Sequence, residues 1–186
     1  MSELLFLQNS IDGGPGSLVE IAEKNGVSYT VVDASRGDAF PDPTEYGAVV
    51  MLGDPDSVNN PTDAMKRKIE TVATAIEDST PYLGICLGMQ VGVKATGGVV
   101  VPSRLPETGF IDRTGKPYQI SLTEAGRADP LFDGLPDTFN VFESHNETVI
   151  LDKSATLLGV GQQRVDGHEL HIRRSAAPLG EVQPRN

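Results

Sequence analysis

The chain's single cysteine, Cys86, stands in the stretch PYLGICLGMQ, residues 81–90, between Gly84 and Gly88 at the end of an apolar run. A thiol attacks carbon as its thiolate, and with a free-cysteine pKa of about 8.5 it needs help to ionise at neutral pH. An apolar strand ahead of Cys86 and a helix behind it would hold the sulfur at a sharp turn. There the helix dipole favours the thiolate, and nearby backbone N–H groups can hold a developing oxyanion. Gly84 and Gly88 leave room for a strained backbone and for close packing of strand on helix. The same residues also fit a plainer role, because a lone cysteine is often a small apolar residue packed beneath a helix.

Cysteine catalysis also needs an imidazole to accept and return a proton, which makes His145 in FESHNETV a candidate base. His168 and His171, in GHELH, are three residues apart; a metal would need further ligands, so no metal site is expected. DGGPGS, residues 12–17, has neither the spacing of a dinucleotide fingerprint nor a phosphate-binding lysine; it reads as a tight turn, and no cofactor is expected. KRK at 66–68 reads as the solvated face of a helix.

Elements able to position Cys86 follow from the apolar pattern. ELLFLQNS, VSYTVVDAS, YGAVVMLGD and YLGI read as strands. Between the first two, Leu18, Ile21, Ala22 and Asn25 recur at helical spacing, with Ser17 as N-cap and Gly26 as stop. A second helix is predicted from about Thr62 to Asp78, with Met65, Ile69, Val72, Ala73 and Ile76 on one face. A third follows Cys86 in LGMQVGVKATGG. This alternation implies an α/β fold, a mostly parallel sheet with helices on both faces. From Val99 onward GVVVPS, PYQISLT, FNVFESHN, ETVIL and TLLGVG are short strand candidates, expected to form an antiparallel or mixed extension of the same sheet. The whole of 1–186 reads as one domain, with atypical material from about residue 164.

The chain of 186 residues carries 15 Lys and Arg against 26 Asp and Glu, a formal charge of −11. No broad basic face for a phosphate backbone is to be expected, so nucleic acid is a poor partner. There is no apolar span of membrane length and no leader pattern, so no membrane partner is expected and the cytoplasm is the expected location. One cysteine cannot form an internal disulfide, which fits a reducing compartment.

GICLGMQ resembles the nucleophile elbow of the class I, triad-type glutamine amidotransferases, in which cysteine attacks the side-chain amide of glutamine and releases ammonia to a synthetase. VVMLGDPDSV stands where that family carries a glycine-rich oxyanion loop. LFDGLPDTFNVFESHNETV is similar to its substrate-cradling segment, and GLP and ESH resemble the glutaminase subunit of GMP synthetase in particular. The similarity covers about residues 3–162. It implies a flavodoxin-like three-layer sandwich, Cys86 as nucleophile, and an oxyanion hole made by backbone N–H groups of Leu87 and of Gly53 or Asp54. Gln90 would shape the glutamine pocket, while the backbone at Ser144 and His145 would bind the substrate's amino-acid end. The implied partners are L-glutamine and an ATP-dependent synthetase subunit that accepts ammonia, GMP synthetase's ATP-pyrophosphatase first among them. Asp54 departs from the family's usual glycine. Its carboxylate would repel an oxyanion unless it points away.

The family carries its base and orienting acid late in the chain, in a segment resembling YGVQFHPE. At that place stands APLGEVQPRN, without a His-x-Glu; His168 lies too early and Glu169 is adjacent to it. A truncated or frameshifted gene, a non-catalytic relative that binds or regulates, and a base supplied by a partner all fit this departure. A cysteine hydrolase of the related flavodoxin-like type is a further reading.

Overall fold

The computed structural model describes residues 3–150 and 155–161 in full and residues 171–174 as backbone. They fall into two compact units, one ending at Gly97 and the other beginning at Gly98.

The first unit is the expected α/β layer. Strands β1 (Leu4–Gln8), β2 (Tyr29–Asp33), β3 (Ala48–Met51) and β4 (Tyr82–Gly84) lie in the order β2-β1-β3-β4, and every pairing is parallel. β1 is an unbroken apolar run because both of its faces are covered. Phe6 packs with Val50, Leu52, Leu18 and Val19, and so faces helix α1 (Ser17–Lys24). Its neighbours Leu5 and Leu7 turn to the opposite face, as strand geometry requires, and both are fully buried. On that face Met51 meets Gly88, which belongs to helix α3 (Leu87–Ala95). Each such apolar side chain, taken wholly out of water, contributes about 1.5–3 kcal/mol.

Two details of the helices differ from expectation. Helix α1 begins on Ser17 itself; the N-cap is Gly16, held at φ 50°, and no side chain caps the helix. Helix α2 (Asp63–Glu77) is capped as expected, Thr62 Oγ1 accepting the Met65 N–H at 3.1 Å. Its buried stripe, however, is Met65, Lys68, Val72 and Ala75, while Ile69, Ala73 and Ile76 are half-buried. Lys68 is therefore not on the solvated face; only Lys66 and Arg67 of that basic run are exposed. A lysine can lie in such a stripe because its long methylene stem packs like an apolar chain while the ammonium reaches outward.

The second unit holds the antiparallel part. Strands β6 (Gln119–Leu122), β7 (Thr138–Asn140), β9 (Thr156–Gly161) and β10 (His171–Arg174) form one antiparallel sheet in the order β10-β9-β6-β7. Strands β5 (Val99–Gly109) and β8 (Glu143–Ile150) form a separate antiparallel ribbon. Among the described residues these strands pair with one another and not with β1–β4, so the antiparallel extension exists as sheets of its own. FNVFESHN and ETVIL also divide differently: the break falls at Val141 and Phe142, and residues 143–150 run through Asn146 as one strand. The strand is carried through Asn146 by its neighbours, His145 opposite Glu107 and Glu147 opposite Pro102, across a register shift in β5. The short helix α4 (Glu124–Ala128), absent from the sequence reading, packs Gly126 directly on the Leu158 carbonyl.

Candidate active site around Cys86

Cys86 lies between β4 and α3 with φ 55° and ψ −115°. Among the described non-glycine residues only it and Ser79 have positive φ. Backbone strain of this kind costs on the order of 1–3 kcal/mol and persists only where the surroundings impose it. Here the constraints are visible. Ile85 N–H donates to the Met51 carbonyl at 3.0 Å, Gly88 N–H turns back to the Ile85 carbonyl at 3.0 Å, and Gln90 N–H reaches the Cys86 carbonyl at 3.2 Å. The chain thus changes from strand to helix at one residue and leaves Cys86 exposed at the carboxyl end of the sheet. This geometry is that of the strand-to-helix elbow expected from G-x-C-x-G.

Both flanking glycines are required sterically. A Cβ on Gly84 would lie 2.5 Å from the Gly88 carbonyl carbon, and one on Gly88 would collide with the Met51 carbonyl oxygen. Tyr82 Oη donates to the Gly88 carbonyl at 2.6 Å, fixing the first turn of α3 against β4. First-turn N–H groups of a helix, Leu87 included, have no carbonyl within the helix to meet, so they and the dipole present partial positive charge beside the sulfur.

The loop after β3 comes up against the thiol. A Cβ on Gly53 would lie 3.1 Å from Cys86 Cβ and 3.6 Å from Sγ. Asp54, expected to be harmful unless turned away, accepts the Asp56 N–H at 2.7 Å and is held along its own loop. Gln90, one turn into α3, is buried. Sequence reasoning missed Asn9, just past β1, which is also buried and whose Nδ2 donates to the Leu52 carbonyl at 2.7 Å, directly before Gly53.

Ser144 and His145 belong to the second unit, so the expected site residues fall into two groups, with Gly53, Asp54, Cys86, Leu87 and Gln90 in the first. In the β5–β8 ribbon His145 stands opposite Glu107, and Glu143 lies two residues away on the same face. His145 Nε2 is 3.0 Å from Glu107 Oε2 and 3.5 Å from Glu143 Oε2, while Nδ1 lies 3.1 Å from the Glu147 carbonyl. Nε2 makes no aligned hydrogen bond to either carboxylate. Burial, and secondarily the charge of Glu107, raise the Glu143 pKa to about 7. The period of two in E-S-H could have placed Glu143 beside His145, whereas Glu107 depends on a strand register that the sequence does not spell out.

His168 and Glu169 lie outside the described residues, and His171 opens β10 opposite Val160. Among the described residues no group of three or more His, Cys, Asp or Glu side chains is arranged to hold a metal ion. No described helix is long and apolar enough to cross a membrane.

The class-I glutamine amidotransferase family model matches residues 9–178, and the chain belongs to that family. It is 32% identical over 108 residues to the gamma-glutamyl-L-1-hydroxyisopropylamide hydrolase of a Pseudomonas species, covering 56% of this chain and 35% of that one. It is 30% identical over 106 residues to one subunit of the glutamine-hydrolysing GMP synthase of Sulfurisphaera tokodaii, covering 57% of this chain and 50% of the other. The chain thus spans half or less of these curated relatives. In fold it is similar to a glutamine amidotransferase from Thermotoga maritima, with a TM-score of 0.76 at 22% identity over 91% of this chain and 69% of that one. The flavodoxin-like architecture is therefore the one the sequence implied.

Proposed function

We propose that the chain is the glutaminase part of an ammonia-supplying enzyme and that Cys86 is its nucleophile. The observation that carries the reading is the strained Cys86 backbone, held between Gly53 and the start of α3. In the proposed reaction the Cys86 thiolate adds to the side-chain carbonyl carbon of L-glutamine. The resulting oxyanion is held by the Leu87 N–H and by an N–H of Gly53 or Asp54. The carbon–nitrogen bond then breaks, the proton given up by the Cys86 thiol on ionising is delivered to the departing nitrogen, ammonia leaves, and a γ-glutamyl thioester remains. Water adds to the thioester, glutamate departs and the thiol is restored. Gln90 shapes the pocket, and the Ser144 and His145 backbone receives the amino-acid end of the substrate, as the resemblance to the family implies. The names of both curated relatives describe hydrolysis of a γ-glutamyl amide, which supports this substrate class. The ammonia acceptor is an ATP-dependent synthetase subunit in the cytoplasm, with GMP synthetase's ATP-pyrophosphatase as first choice, because one relative belongs to a glutamine-hydrolysing GMP synthase built from separate subunits.

A second reading rests on the departure of residues 164–186, which contain no His-x-Glu. It makes the chain an amidotransferase-like module that binds without turnover. Ammonia release from L-glutamine, measured alone and with the synthetase subunit, separates the two. Release that disappears in Cys86→Ala supports the enzyme; calorimetric glutamine binding without release under either condition supports the silent module.

A further inference from the structure

Asn9 is a buried polar residue without an evident structural reason. It is 4% exposed, its Nδ2 donates to the Leu52 carbonyl at 2.7 Å, and its Oδ1 has no hydrogen-bond partner among the described residues. An orphaned buried acceptor is destabilising, and an aliphatic side chain would avoid it. What the amide supplies is the donor, and its acceptor belongs to the peptide that joins Leu52 to Gly53.

That peptide group is planar and trans, so its C=O and N–H point in opposite directions. The Leu52 N–H is still on the ladder to β1, donating to the Leu7 carbonyl at 3.0 Å. With the Leu52 carbonyl also held on the β1 side by Asn9, the Gly53 N–H faces the other way, toward β4. There Ile85 and Cys86 leave the sheet, with Ile85 N–H on the Met51 carbonyl. Ladder continuation would have sent Gly53 N–H to the Ile85 carbonyl, yet it takes no backbone acceptor among the described residues. Gly53 lies so close to Cys86 that its absent Cβ would be 3.1 Å from the cysteine Cβ.

We propose that Asn9 is a positioning residue which, by holding the Leu52 carbonyl, aims the Gly53 N–H at the space beside Cys86 Sγ, where a substrate oxyanion forms. The inference rests on the reading of Cys86 as nucleophile and selects Gly53 as the donor. Asn9→Asp keeps the shape but cannot donate to the Leu52 carbonyl when ionised; Asn9→Leu removes the amide altogether and serves the same comparisons where the first variant fails to fold.

The test combines steady-state kinetics on L-glutamine, inhibition by the γ-aldehyde of glutamate, and the amide signal of Gly53 in protein labelled with 15N-glycine. A lost oxyanion donor lowers kcat about 100- to 1,000-fold and weakens the aldehyde in parallel, because its adduct carries the oxyanion. KM for glutamine stays within about two-fold, since uniform binding is untouched. Unchanged kcat, or a rise in KM without loss of kcat, overturns the proposal. Absence of turnover in the unmodified protein contradicts the functional reading instead. In that case the Gly53 amide decides: a displaced signal in the variants supports the orienting role, and coincident signals overturn it.

Discussion

Gly53 lies against Cys86 so closely that a Cβ on it would be 3.1 Å from the cysteine's Cβ and 3.6 Å from its sulfur. The approach brings the loop after β3 and the elbow after β4 together at the carboxyl end of one parallel sheet, where open α/β folds bind ligands. Gly53→Ala will crowd the sulfur from this side. Glutaminase kcat is expected to fall about 10-fold or more, while the stability read by urea denaturation changes by about 1 kcal/mol or less. Unimpaired turnover in a well-folded Gly53→Ala protein would show that this side of the thiol is not used.

Cys86 itself holds a backbone conformation that glycine adopts freely. Cys86→Gly will therefore stabilise the fold by about 1 kcal/mol, the relief of strain exceeding the greater freedom of glycine in the unfolded chain. Cys86→Ala keeps the strain and will not gain. Chemical denaturation of the two variants checks this, and equal midpoints would mean that the elbow is not strained.

Gly88 meets the Met51 carbonyl, and neither backbone can withdraw without separating α3 from β3. Gly88→Ala is expected to destabilise by about 3 kcal/mol, the upper end of the cost of over-packing. Thermal unfolding reads it directly. A melting temperature within a degree or two of the parent would contradict this close packing of α3 on β3.

Glu143, with its pKa raised to about 7, gives the stability a pH dependence of definite sign. In the unfolded chain a glutamate titrates near about 4.3, so between these values the folded chain binds a proton that the unfolded chain has lost. The protonated form's contribution is complete below the unfolded value and is lost as pH rises through about 7. Between about pH 4.5 and 8 the parent should lose on the order of 1 kcal/mol that Glu143→Gln does not, after allowance for solvent screening. Equal slopes in the two proteins would sink this assignment.

The alternation of strands and helices up to Gly97 was legible because each strand is a bounded apolar run and the helices have caps or stops. The elbow was legible for a steric reason: only glycine fits at positions 84 and 88, and that need is written in the residue type. Lys68 misleads because a basic residue reads as exposed, although its stem can be buried. Beyond Gly97 the pattern weakened. Asn146 carries a local turn preference, yet it lies within β8 because its neighbours His145 and Glu147 pair with β5 on either side of a register shift. Register of that kind also brings Glu107 to His145, and no local signal announces it. Asn9 was missed because an asparagine after a strand looks like an ordinary turn residue until its amide is seen on the Leu52 carbonyl.

The most direct test of the central claim is the intact mass of the protein after exposure to a glutamine-like chloroketone, with and without excess L-glutamine. A single adduct on Cys86 is expected, suppressed by glutamine and absent from Cys86→Ala. A folded protein that forms no adduct, or an adduct that glutamine does not prevent, would contradict Cys86 as the nucleophile of a glutamine site.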